Sequence, residues 1–129
     1  MTMPHERTRS LRWAFEVLQE TRDDALVNDG DRARAAELLV SFPTPETVLE
    51  WIQSDASCIP VDAALAIEET GVLLSSIYRS ETCPAKLGHS VMFTLRHFPQ
   101  PGSAERWTKS SAGWTITTWL LQEDHYDRR

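Results

Sequence analysis

Four side chains in this sequence have the chemistry of a soft-metal ligand or of a nucleophile with its base: Cys58, Cys83, His89 and His97. Zinc sites usually take such ligands in close pairs, because two donors a few residues apart reach one ion from a single turn. No Cys-x2-Cys or His-x3-His pair is present, and His89 and His97 stand eight residues apart, about two helical turns, too far to share an ion. Cys58 with His97, or Cys83 with His89, would supply a thiol and a base. No glycine-rich elbow or oxyanion-hole signature accompanies either combination. Glu68-Glu69 has the form of a paired-carboxylate site, yet neighbours on a helix point about 100° apart and are expected in solvent. No Gly-x-Gly-x-x-Gly or Gly-x4-Gly-Lys-(Ser/Thr) loop occurs. The sequence therefore assigns no catalytic, cofactor-binding or metal residue.

The remaining candidates are contact residues. Arg7, Arg9 and Arg12 cluster at the start of the first expected helix, and Arg96-His97 stand before a later proline corner. Such groups contact phosphate or an acidic partner, lie solvated, or, for Arg96 and His97, tie the corner to a neighbouring carboxylate. The net charge of −6 weighs against nucleic acid, and its excess lies in residues 1–64, with 12 acidic and 6 basic side chains against 7 of each in the rest. A helix-turn-helix over 32–54 is disfavoured by its proline corner and by Glu46 and Glu50, which repel phosphate. Of five tryptophans, Trp114 and Trp119 fall near the C-terminus, where exposed aromatics would anchor a partner if the tail does not fold back. The expected partner-binding residues are thus Trp114, Trp119, Arg96, His97, Arg7 and Arg9.

Positioning these residues requires a scaffold, and a repeat describes it. Phe42-Pro43-Thr44-Pro45 returns as Phe98-Pro99-Gln100-Pro101, 56 positions on, and the register carries Trp51 onto Trp107, Ser54 onto Ser110 and Ala56 onto Ala112. Leu11, Ala14, Phe15 and Leu18 have the spacing of an amphipathic helix, preceded by a loose leader over 1–6. Asp29 or Asp31 caps a second helix over about 32–41, which Pro43 ends. Thr44-Pro45-Glu46 starts a third, burying Val48, Trp51 and Ile52. A long helix over about 61–79 opens the second unit, with Gly71 marking close packing or a bend. Thr82-Cys83-Pro84 starts the next, over 84–97. Each corner phenylalanine plugs the elbow between two helices.

The expected fold is mostly α: two tandem helical units of about 56 residues, 7–56 and 62–112, packed as a single domain over 1–129 with a tail at 113–129. The alternative is α+β with a C-terminal three-stranded meander over 90–121, because Val91, Phe93 and Leu95 alternate with polar neighbours and Trp114–Trp119 is rich in β-formers. Residues 114–121 suit either reading.

The opening Met1-Thr2-Met3-Pro4-His5-Glu6-Arg7-Thr8-Arg9 and the corner Leu95-Arg96-His97-Phe98-Pro99 resemble a family of short, uncharacterised proteobacterial proteins. These open Met-Thr-x-Pro-x-Glu-Arg-Thr-Arg and carry a Leu-Arg-His-(Tyr/Phe)-Pro corner. The first corner here, Val40-Ser41-Phe42-Pro43, lacks the Arg-His pair. The likeness implies a helical protein of the bacterial cytoplasm and carries no activity with it.

No apolar run approaches the ~18 residues of a membrane span, and no apolar h-region follows the first residues. The chain thus reads as a small non-catalytic cytoplasmic protein acting through protein–protein contact, regulatory or inhibitory, with no cofactor. The alternatives are a nucleic-acid-associated regulator using Arg7, Arg9 and Arg12, and a small thiol enzyme using Cys58 or Cys83.

Overall fold

A computed structural model describes residues 2–123. Six helices follow in order: α1 (Pro4–Asp23), α2 (Asp29–Ser41), α3 (Pro45–Ser54), α4 (Val61–Arg79), α5 (Ala85–Arg96) and the single turn α6 (Ser103–Arg106), with a 3-10 turn at Ile116–Thr118. The mostly α expectation holds, and among the described residues there is no strand.

Local chemistry accounts for the helix limits. α1 starts earlier than the expected leader allows, since Pro4 occupies its first turn and the Glu6 carboxylate accepts the Met3 N–H at 2.9 Å. Asn28, not Asp29 or Asp31, caps α2: its side-chain oxygen accepts the Asp31 N–H at 2.8 Å. Thr44 caps α3 by accepting the Thr47 N–H, with Pro45 next in line. α3 ends at Asp55, which adopts left-handed geometry (φ 50°).

The β-meander does not form, for two reasons. Leu87, Val91 and Thr94 are buried at helical spacing, and Thr94 and Ser90 return their hydroxyls to carbonyls four residues back, so both hydroxyls find partners within a helix. In the tail, Ile116 and Leu120 bury together at a spacing of four, and the Thr118 and Leu120 N–H groups bond within a tight turn. Among the described residues no strand lies beside it to take up those groups.

α1, α2, α4 and α5 form a closed ring in which each packs against two others: α1 on α2, α2 on α4, α4 on α5 and α5 on α1. α3 is docked on α1, and α6 on α4. Leu11 and Leu18 of α1, Leu38 of α2, Ile67 and Leu74 of α4, and Leu87 and Val91 of α5 fill the centre. Each such side chain contributes about 1.5–3 kcal/mol by leaving water. Between the two halves the helix starts differ by 57, 56 and 58 positions. At a shift of 56, the buried residues Leu11, Leu18, Ala35, Phe42 and Val48 fall on the buried residues Ile67, Leu74, Val91, Phe98 and Ala104. Among the described residues no helix is long and apolar enough to cross a membrane.

Candidate functional site

The groups with reactive chemistry are held apart or engaged in structure. Cys58 is exposed in the α3–α4 connection, Cys83 is half-buried before α5, and both thiols are free. Burial, with Asp24 nearby, pushes the Cys83 thiol above its ordinary range, which disfavours the thiolate. Among the described residues no three His, Cys, Asp or Glu side chains gather to hold a metal ion. Glu68 and Glu69 are not the solvated pair expected of neighbours on a helix. Glu68 accepts the N–H groups of Gly102 (2.8 Å) and Ala104 (3.0 Å), satisfying two donors at the start of α6. Glu69 pairs with Arg34 and so joins α4 to α2.

Three of the six expected contact residues converge on the first turns of α1. Arg7 donates to the Thr2 hydroxyl (2.8 Å), the Thr2 carbonyl (2.9 Å) and the Trp119 carbonyl (3.2 Å), and its guanidinium lies 4.9 Å from the Trp119 ring centre. Trp119 in turn packs on Trp107, ring centres 4.4 Å apart. His97 Nε2 lies 3.1 Å from the Glu6 carboxylate, the corner-to-carboxylate tie that was one reading of Arg96-His97. Glu6 is held below the usual carboxylate range by the Met3 N–H and, after it, by His97. Arg9 sits over the Trp13 ring at 5.4 Å. Arg96 is exposed, with no ion pair among the described residues, and Trp114 is half-buried against the core.

The described part of the tail, 113–123, therefore folds back, and 124–129 lie outside the described residues. Ile116 and Leu120 are fully buried, and the Ile116 N–H donates to the Ala56 carbonyl at 2.8 Å. Thr117 donates its hydroxyl to Asp55 at 2.5 Å, and Glu123 receives Arg12 through two 2.9 Å bonds. Trp119 thus serves as an internal clasp, and the open apolar surface lies elsewhere.

One such surface is a groove of about 660 Å³ between α1, α3 and the last described residues, Gln122 and Glu123. The buried Leu11 and Val48 line it together with Trp13, Leu49, Ile52, Pro43 and Pro45, and the Arg12–Glu123 pair also borders it. Pro45, Val48, Leu49 and Ile52 follow the i, i+3, i+4, i+7 rule, so one whole face of α3 is apolar although only Val48 is fully buried. Hydrogen bonding to Glu123, with Glu16 at 3.2 Å, keeps the Arg12 guanidinium firmly charged. A second groove of about 400 Å³ runs between α4 and the second corner, lined by Ile67, Gly71, Val72, Phe98, Pro99 and Pro101. At a shift of 56, Leu11, Pro43 and Pro45 of the first groove become Ile67, Pro99 and Pro101 of the second. The sequence signal for the first groove is the apolar face of α3, which its contacts with α1 and the 3-10 turn leave partly uncovered.

No protein-family model, no curated protein and no solved structure matches this chain.

Proposed function

We propose that this is a small non-catalytic protein that works by docking a protein partner in the groove between α1 and α3, in a regulatory or inhibitory role. The observation that carries this reading is the groove itself, about 660 Å³ with walls of Trp13, Leu49, Ile52 and two prolines. Binding sites are concave, mainly apolar and of this order of size. The separation of the thiols from one another and the structural roles of Glu68, Glu69 and His97 favour a binding protein over an enzyme. Two free thiols suit the reducing cytoplasm. Engagement of Arg7 by Trp119 and of Arg12 by Glu123 lowers the standing of the nucleic-acid alternative. The matching helix starts and buried positions at a shift of 56 support two tandem units, the first carrying the open groove.

Site-specific photo-crosslinking tests the reading in cells that express the chain naturally. A benzophenone side chain at Leu49 is expected to yield one dominant protein adduct that the same probe at Val72, beside the second groove, does not. Equal adducts from both positions, or none from Leu49, would sink it.

A further inference from the structure

The charge around the α1–α3 groove selects the kind of segment it takes. Glu46, Glu50 and Gln53 each stand one residue beyond Pro45, Leu49 and Ile52, so they form a polar edge about 100° around α3 from the apolar face. Glu46, Glu50 and Gln53 are all exposed, and neither carboxylate has an ion pair among the described residues. Across the groove, Glu16 is exposed on α1, one turn beyond Arg12. Arg12, the one cation among the described lining residues, is already engaged by Glu123 and Glu16. An apolar trough with unpaired carboxylates on its α3 edge is therefore complementary to a segment that is apolar on one side and cationic on the other. Glu46 also suits the N-terminus of α3 electrostatically, but that role leaves its outward charge unpaired.

Resting on the docking reading above, we infer that the groove binds a basic amphipathic helix of a partner protein. Its apolar residues, spaced i, i+3 or i+4, and i+7, enter between Trp13 and Leu49, and its Lys or Arg residues face Glu46 and Glu50. Complementary charge of this kind raises the association rate and makes binding weaken with salt.

The test is selection of random 16-residue peptides on the full-length protein, followed by affinity measurement on variants. Selected sequences should show apolar residues at helical spacing with a net positive charge. Their affinity should fall at least tenfold for Glu46→Lys/Glu50→Lys, a surface pair whose reversal leaves the fold intact by circular dichroism. It should also fall on raising salt from 50 to 500 mM, and disappear in Leu49→Glu. Peptides lost in Leu49→Glu but neutral or acidic, and indifferent to the Glu46→Lys/Glu50→Lys change, would overturn the basic partner and leave the docking reading standing. Selection that returns no peptide sensitive to Leu49→Glu would overturn both.

Discussion

At the first proline corner Phe42 stacks near Phe15, ring centres 6.5 Å apart; at the second, Phe98 lies against the bare backbone of Gly71. Phe15 and Gly71 are themselves 56 positions apart, so the same place in the two halves carries a ring in one and a hydrogen in the other. The same exchange runs through the neighbouring contacts. Arg12 reaches the tail, whereas Glu68, 56 positions on, holds the start of α6. α3 extends for ten residues and α6 for four. Trp51 is half-buried, and Trp107 is buried beneath Trp119. One helical course thus gives a wide, open groove where a ring and a long helix stand, and a narrower one where a glycine and a short helix replace them.

The comparison can be broken at its phenylalanines, where the largest effects are expected. Phe42→Ala and Phe98→Ala should each destabilise the fold by about 3–5 kcal/mol in urea unfolding. Phe98→Ala should lie at the upper end, because Gly71 has no side chain to enter the vacated space while Phe15 can move toward that of Phe42. Equal losses would mean that the two elbows collapse alike.

Installing bulk opposite Phe98 sharpens the point. A Cβ at position 71 would lie 3.3 Å from the Phe98 ring. Gly71→Leu is expected to destabilise by about 1–3 kcal/mol. Gly71→Leu combined with Phe98→Ala should lose less than the two changes added together, since one vacates what the other fills. Strict additivity in a double-mutant cycle would contradict the contact.

The exchanged charges should differ in weight. Glu68→Ala strands two backbone donors at α6 and should destabilise by about 1–3 kcal/mol. Arg12→Ala breaks a half-exposed pair and should change stability by about 0–1 kcal/mol. Chemical denaturation of both variants checks the order, and a larger loss at Arg12 would reverse the assignment of roles.

The smallest effect is a pH dependence at Asp55, where the α3–α4 connection begins. Hydrogen bonds from Thr115 and then Thr117 hold the Asp55 carboxyl below its ordinary value. A carboxyl lowered in the folded state stabilises fully above its unfolded pKa and loses that contribution as pH falls through the folded one. Asp55→Asn should therefore flatten the decline in thermal stability below about pH 4. Its counterpart at a shift of 56 is Ser111, which carries no carboxyl to titrate. An unchanged acid profile for Asp55→Asn would show that the tail is not fastened through this residue.

The helices were readable because apolar spacing, Thr44-Pro45 and Pro43 act locally. Pro4 and Asn28 were local signals too, and their cap chemistry settles the two helix starts that differed. The tail was unreadable because Trp114–Trp119 has β-forming side chains, while among the described residues no strand lies beside it to pair with. A carboxylate is one of the partners the sequence offers His97; that it is Glu6, 91 residues away, follows from packing of α5 on α1. Glu68 reaching Gly102 is a contact of the same long-range kind. The groove was half readable: α3 displayed its apolar face, while the surface left uncovered beside Trp13 depends on where the tail lies.

The central claim is that the first groove, about 660 Å³, takes an apolar group in preference to its α4 counterpart of about 400 Å³. Titrating isotope-labelled protein with indole and following backbone amide shifts by NMR tests this without knowledge of the partner. The account predicts saturable shifts gathered on residues 8–13 and 43–52, with little change over 67–75 and 98–101. Shifts centred on α4 and the second corner, or none that saturate, would contradict it.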